Sequence, residues 1–136
     1  MIFMVKTFTY RGKTLQELQS MSNEEVAKLM PSRQRKTILK GFNKKVVKRI
    51  ENNKKILALG KIPKAIRTHL RDFTIMPNMV GLQFGVHTGK EFFPVLINEE
   101  MIGHYLGEYA LTRQRVRHGK AGIGATKSST AIATRK

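Results

Sequence analysis

The sequence predicts an α+β fold: a helical N-terminal extension, a small three-stranded sheet with a covering C-terminal helix, and an extended basic C-terminal tail. Apolar residues at helical spacing dominate the first 60 positions, whereas residues 73–97 read as short apolar or alternating strands. The tail contains Lys and Arg but no acid. We therefore expect a basic helical extension (1–61), an α+β core (62–112) and a basic extended tail (113–136) in this chain of 136 residues.

The charge distribution follows the same division. The chain has 26 Lys and Arg against 9 Asp and Glu, a net charge of +17. Residues 1–72 hold 18 basic and 5 acidic residues. Residues 73–112 hold one basic and four acidic residues, and residues 113–136 hold seven basic residues and no acidic one. A nearly neutral core thus lies between basic arms. Such an excess indicates a polyanionic partner, with nucleic acid the first candidate and an anionic membrane surface the second.

The first elements are short. Residues 7–13 alternate loosely and turn at Gly12, which predicts a short strand or an extended lead-in. Leu15 and Leu18 at i, i+3 predict a helix over 14–19. The sequence from Ser22 to Glu25 fits a capping box and predicts a helix over 23–30, after which Pro31 ends that helix or begins the next.

A basic amphipathic helix is predicted over residues 43–59. Its apolar face contains Val46, Val47, Ile50 and Leu57, and lysines and arginine fill the rest. The basic side is compatible with a solvated face, with phosphate binding or with a membrane surface. The apolar face lacks Trp and Phe, which makes membrane binding the weakest of these alternatives.

Residues 66–72 place Arg67, His69 and Arg71 at alternate positions. In an extended chain the three side chains point the same way and match a row of phosphates. In a helix end, Arg67 and Arg71 would instead share one side.

Three strands are predicted in the core. Residues 73–76 form the first, and Pro77 stops it. Residues 82–87 form the second, with a hairpin turn at 87–90. The third strand has Pro94, which predicts a sheet edge because proline has no N–H. The predicted inward-facing residues of the second and third strands are Leu82, Phe84, Val86, Phe93, Val95 and Ile97.

A helix over residues 99–109 is predicted to cover the sheet. Asn98 is a good N-cap, and Glu99 and Glu100 lie in the first turn, where the helix dipole favours acids. Gly103 and Gly107 destabilise a helix and so require a reason. Close approach of a strand or of a nucleic-acid backbone is one.

The tail is typical of a segment that orders on RNA, since it is basic and too poor in large apolar residues to order in water. Arg113, Arg115 and Arg117 alternate and reach one surface if the chain is extended. A solubilising tail remains the alternative.

Several kinds of chemistry are absent. The chain has no cysteine, which excludes disulfides and thiolate sites and fits an intracellular protein. Residues 122–128 resemble a phosphate-binding loop, but Thr126 precedes Lys127 where that motif requires Gly. The four histidines lack metal-ligand spacing, and no nucleophile or paired-carboxylate arrangement is visible. We therefore expect no enzymatic activity, no cofactor, no metal, no membrane and no small-molecule substrate.

Several motifs resemble the nineteenth small-subunit ribosomal protein family. They begin with Thr68, Arg71 and Asp72 and continue from Thr88-Gly89-Lys90 to Thr112. The later positions that carry the resemblance are Ile97, Ile102-Gly103, Leu106-Gly107-Glu108-Tyr109 and the run from His118 to Ser129. The dense part covers about residues 62–129, and Ser32-Arg33-Gln34-Arg35 resembles the extension of the archaeal and eukaryotic branch.

The resemblance implies a cytoplasmic protein on the head of the small ribosomal subunit that binds rRNA beside the thirteenth-family protein. It also implies a tail that reaches towards the decoding centre and A-site tRNA.

Aromatic stacking is expected to be minor, because most Phe and Tyr are needed in the core. The alternative is a DNA-binding or chromatin-type protein that uses helix 43–59. The candidate rRNA-binding residues are Arg67, His69, Arg71, Lys90, Gly103, His104, Gly107, Arg113, Arg115, Arg117, His118, Lys120, Lys127, Ser128 and Ser129.

Overall fold

A computed structural model describes residues 7–119 and residue 122, and its α+β architecture with a small three-stranded sheet confirms the predicted class. The helices are α1 (Leu15–Ser20), α2 (Asn23–Leu29), α3 (Ser32–Lys40) and α4 (Lys44–Ala58). The strands are β1 (Thr9–Tyr10), β2 (Lys13–Thr14), β3 (Ile66–Thr68), β4 (Gln83–His87) and β5 (Phe92–Leu96). Short 3-10 helices cover Pro77–Met79, Glu99–Met101 and Leu106–Tyr109.

Local capping explains where the first helices begin. The predicted box at α2 is confirmed: the Ser22 N–H donates to the Glu25 carboxylate at 2.9 Å, and the Glu25 N–H donates to the Ser22 hydroxyl at 3.4 Å. These bonds favour the charged carboxylate and lower the pKa of Glu25. Thr14 and Glu17 form the same box at α1. Pro31 stands at the start of α3, so it begins the next helix.

The predicted basic helix is confirmed as α4. Asn43 caps it by accepting the Lys45 N–H at 3.0 Å, and Val46 and Ile50 are buried. Leu57, predicted on the buried face, is 44% exposed instead. It lies in the last turn of α4, two turns beyond Ile50, the last buried residue of the helix.

The sheet order is β3-β4-β5, with β3 parallel to β4 and β5 antiparallel to it. The predicted first strand over residues 73–76 is wrong, because β3 takes that place. Phe73, Ile75 and their neighbours are buried, yet only Thr74 forms a bridge, to Tyr105. Their apolar character reflects passage through the core rather than membership of the sheet.

The second and third predicted strands are confirmed as β4 and β5. Phe84, Val86 and Val95 are buried on one face, and the Thr88 N–H donates to Glu91 O at 2.9 Å to close the hairpin. β5 is an edge strand, as Pro94 predicted. Phe93 lies on the predicted face, opposite Val86 in the register, but it is 48% exposed near the hairpin end of β5.

The predicted helix over 99–109 is wrong. Two 3-10 helices replace it, separated at Gly103, whose φ is +86°. Some backbone N–H groups that would donate within a regular helix donate instead to carbonyls of residues 71–75, in the segment before β4. The Gly103, Leu106 and Gly107 N–H groups donate to Ile75, Phe73 and Arg71 carbonyls at 3.1, 3.0 and 2.8 Å. The segment is therefore held by tertiary hydrogen bonds in addition to the bonds of its own short turns.

One cluster of buried apolar residues joins the N-terminal helices to the sheet. It runs from Leu18 to Ala110 and includes residues on both sides of position 61. The Phe42 and Phe73 rings stack across this boundary with centroids 4.7 Å apart. In the described part of the chain, no helix has both the length and the apolar character needed to cross a bilayer.

Candidate nucleic-acid interface

In the described part of the chain, the Lys and Arg side chains have no carboxylate within ion-pair distance. Within residues 7–119 and 122, the single ion pair is His104 Nδ1 to Glu108 Oε2 at 2.6 Å, between half-exposed side chains. No Lys or Arg of this described part forms an ion pair. Cations that are not neutralised within the protein remain able to replace the counterions of a polyanion.

A cluster of cationic and aromatic side chains covers the outward face of the sheet. The register sets Arg67 beside Gly85 and His87 beside Phe92, on the side opposite buried Phe84. The Arg67 guanidinium carbon lies 5.6 Å from the centroid of the Phe92 ring. We call Arg67, His69, His87 and Phe92 the outer cluster.

The rings of the outer cluster contact one another. The His69 ring centroid lies 4.2 Å from that of His87 and 5.3 Å from that of Phe92, and the His87 and Phe92 centroids are 5.0 Å apart. His69 is exposed, whereas His87 and Phe92 are half-buried. The His87 Nδ1 accepts the Gly89 N–H at 3.1 Å, which orients that ring.

Gly85 gives the outer cluster its compact arrangement. A Cβ at this position would lie 3.3 Å from Arg67 Cγ and 3.4 Å from Phe92 Cβ. The contact with Arg67 Cγ would be tighter than most Cβ contacts, and the contact with Phe92 Cβ would be at the short end of ordinary van der Waals contact. The missing side chain therefore lets the Arg67 and Phe92 side chains lean over β4 from both neighbouring strands.

Arg71 departs from the predicted row. Arg67 and His69 belong to the outer cluster, but the Arg71 guanidinium points into the fold. It donates to His87 O at 2.7 Å, to Gly107 O at 2.8 Å and to Ala110 O. Arg71 thereby connects the end of β4 to the segment that follows the sheet, while Arg67 and His69 stay together outside it.

Gly103 and Gly107 are explained by contacts within the chain. Gly103 combines its positive φ with the hydroxyl of Tyr10, which would lie 2.8 Å from an added Cβ. At Gly107 an added Cβ would lie 3.0 Å from both the carbonyl oxygen and the Cβ of Arg71. The backbone that approaches Gly107 closely is thus the protein's own.

The family model for ribosomal protein S19 matches residues 32–118. The chain belongs to the ribosomal protein S19 family. Membership gives it a structural role in the small ribosomal subunit, in translation, with binding to rRNA, and it points to a non-enzymatic protein. The matched range contains the whole sheet and the outer cluster.

The other predicted residues of this S19-family protein are not members of the outer cluster. Lys90 is exposed on the hairpin between β4 and β5. His104 is exposed beside Glu108, and its ring centroid lies 6.0 Å from that of Tyr109. Burial raises the pKa of Tyr109, and the negative charges of Glu108 and Glu100 raise it further. The Tyr109 hydroxyl therefore stays neutral near pH 7.

The tail residues divide into described and undescribed positions. Arg113, Arg115, Arg117 and His118 are exposed and belong to no helix or strand. The predicted sites at Lys120, Lys127, Ser128 and Ser129 lie outside the described residues.

Sequence reasoning missed part of this surface of the S19-family protein. His87 and Phe92 were not selected, although Phe92 precedes Phe93 on a strand and so must face the other side. Arg49 of α4 was also missed as a site residue, and its guanidinium donates to Arg67 O at 3.2 Å beside the outer cluster. No three His, Asp or Glu side chains of the described part are placed to share a metal ion.

Proposed function

We propose that this protein binds small-subunit rRNA in the subunit head and supports assembly and translation as a scaffold. The observation that supports this most is the lack of any ion-paired Lys or Arg in the described part of a strongly basic S19-family chain. The contacts with rRNA phosphates are assigned to exposed groups: Arg67, His69, Lys90, His104, Arg113, Arg115, Arg117 and His118. Lys120, Lys127, Ser128 and Ser129 extend the same proposed surface along the tail.

Arg71, Gly103 and Gly107 contribute indirectly in this proposal. The Arg71 guanidinium is occupied by backbone carbonyls, and the two glycines pack against Tyr10 and Arg71. They hold the hairpin and the following segment in place, so the exposed cations on both keep a fixed geometry.

The proposed neighbours follow from the resemblance described above. They are a thirteenth-family protein in the head and, for the tail, the decoding centre with A-site tRNA, in a cytoplasmic ribosome of the archaeal and eukaryotic type. The exposure of residues 113–119 is compatible with such a reach.

Reconstitution tests the proposal. The tagged full chain is incubated with small-subunit rRNA and the remaining small-subunit proteins, and the mixture is run through a sucrose gradient at low magnesium and moderate salt. We expect the chain in the small-subunit peak and a footprint on rRNA of the head. Excess duplex DNA should not displace it. Absence from that peak contradicts the proposal, and displacement by DNA would favour the chromatin-type alternative.

A further inference from the structure

We propose that the outer cluster is a stacking site for one unpaired nucleotide of the rRNA. The base would lie on the exposed His69 ring and its neighbours, and its phosphates would face the surrounding cations. This inference rests on the proposed function and assigns part of the binding to a base rather than to phosphates alone.

The first reason is that these rings are not used by the core. Phe92 points away from Phe84, and its ring contacts are with Arg67, His69 and His87. The solvated face of a small sheet is ordinarily polar. The three adjoining rings on that face, which we call the platform, are not coplanar: the His69 and His87 rings are tilted by 32°, and the Phe92 ring stands edge-on to both. The exposed His69 ring is therefore the one offered to a base, and the His87 and Phe92 rings hold it in place.

The second reason is charge complementarity. Arg67 lies over the Phe92 ring of the platform, Arg49 donates to the Arg67 carbonyl, and Lys90 is exposed on the adjoining hairpin. None of these cations is ion-paired among the residues that the structure describes. Aromatic and guanidinium planes that hold a base, bordered by free cations that hold its phosphates, are the usual means of binding single-stranded RNA.

The third reason is Gly85, which brings Arg67 and Phe92 together over β4. A Cβ at this position would press on Arg67 Cγ and lie against Phe92 Cβ, the stems of the two side chains. A partner that needed only positive charge would not require this contact, whereas a stacked base requires a ring and a guanidinium that are held in fixed orientations.

The test compares two phenylalanines on one strand. Phe92→Leu removes a ring from the platform, and Phe93→Leu removes the neighbouring ring from the opposite face. The full-length variants are titrated with a single-stranded oligoadenylate of about ten nucleotides and with an abasic strand of equal length and charge. For Phe92→Leu we expect about tenfold weaker binding of the oligoadenylate, with unchanged salt dependence and unchanged binding of the abasic strand. Phe93→Leu should bind both strands like the parent chain.

A second variant guards against a folding defect in the first. The His69 side chain is exposed, so His69→Gln should fold normally and still weaken oligoadenylate binding. The inference is overturned if neither variant changes oligoadenylate binding, if the abasic strand loses as much affinity, or if the parent chain shows no preference for the strand with bases.

Photo-cross-linking in assembled small subunits is an independent test of the stacking site. Irradiation should join a peptide containing His69 or Phe92 to an rRNA nucleotide. A cross-link from this peptide to a neighbouring protein instead would overturn the inference. If the parent chain enters the small-subunit peak normally while Phe92→Leu changes no binding, only the stacking site fails and the proposed function stands.

Discussion

At the scale of single residues, two arginines four positions apart have different roles. Arg67 extends from β3 over the Phe92 ring, whereas Arg71 hydrogen-bonds three carbonyls of its own chain. The chain reverses its direction between them: Thr68 is buried at the end of β3, and the Arg71 N–H donates to His69 O at 2.9 Å. Alternation along an extended strand predicted that Arg67, His69 and Arg71 point the same way. The structure bears this out for Arg67 and His69 but not for Arg71.

The pair Arg67→Gln and Arg71→Gln should separate binding from stability. Arg71→Gln leaves carbonyls of the fold without their charged donor and should lower the free energy of unfolding by about 2 kcal/mol, with the salt slope of rRNA binding unchanged. Arg67→Gln should leave unfolding nearly unchanged and reduce that slope by about one. Urea unfolding and binding titrations at several salt concentrations measure both. Equal unfolding midpoints for the two variants would show that the Arg71 contacts contribute little.

Gly103 and Gly89 form a second matched pair. Both have positive φ, +86° and +104°, but only Gly103 has a neighbour, the Tyr10 hydroxyl, within reach of a Cβ. Gly89→Ala should therefore lower the free energy of unfolding by about 1 kcal/mol through backbone strain alone. Gly103→Ala should lower it by about 1 kcal/mol more, because of overpacking.

The Tyr10 contact can be checked directly. Replacing Tyr10 by Phe removes the hydroxyl, leaving the ring atom at 3.4 Å as the nearest neighbour. The double variant with Gly103→Ala should recover most of the additional loss relative to Tyr10→Phe alone. No coupling between the two substitutions in a double-mutant cycle would remove Tyr10 from the explanation.

At the scale of elements, the sequence predicted those structures whose signals are local. Capping boxes and apolar spacing were enough for α1, α2 and α4, and alternation was enough for β4 and β5. The segment after Asn98 was mistaken for a helix, because its donors bond to residues 71–75, a partner that spacing does not reveal. The parallel pairing of β3 with β4 was missed for the same reason: it joins residues far apart in the chain.

Helix α4 carries a prediction about pH. Lys54 borders a cavity lined by Phe42, Ile50 and Phe73, and burial lowers its pKa while Glu51 partly opposes the change. The folded-state pKa is then below the unfolded value of 10.5, so the unfolded state holds more protons in that interval. The contribution of Lys54 to the free energy of unfolding should therefore increase as the pH rises from its lowered folded-state pKa towards 10.5.

Lys54→Met should remove this rise and stabilise the protein slightly at neutral pH, by less than about 1 kcal/mol because the side chain is only partly buried. Lys55→Met, on the exposed side of α4, is the matched control. The measurement is urea unfolding of both variants from pH 7 to pH 10.5. Comparing the two cancels contributions from other groups, and identical pH profiles would contradict the role given to Lys54.

At the scale of the whole molecule, composition predicted the kind of partner but not the full surface that meets it. The exposed cations on the arms follow from the charge distribution. The outer cluster does not, because its members come from three strands whose order and register decide which rings adjoin. The expectation that aromatic residues are needed in the core holds for Phe84 and Phe73, while Phe92 lies outside it.

The tail gives the prediction that belongs to the entire chain. Residues 113–119 are exposed, and the last buried residue before them is Ala110. Removing residues 113–136 should therefore leave the urea unfolding midpoint unchanged. The same deletion removes seven basic residues, and the salt slope of rRNA binding should fall by at most about six.

A full-length variant with the seven tail cations replaced by Gln distinguishes charge from length. If phosphate contacts account for the binding of the tail, this variant should show the same reduced slope as the deletion, because counterion release depends on neutralised phosphates and not on chain length. If the variant keeps the parent slope, the tail does not bind phosphates. If it keeps an affinity well above that of the deletion at high salt, uncharged contacts of the tail add to binding, since those contacts survive when the electrostatic contribution is screened.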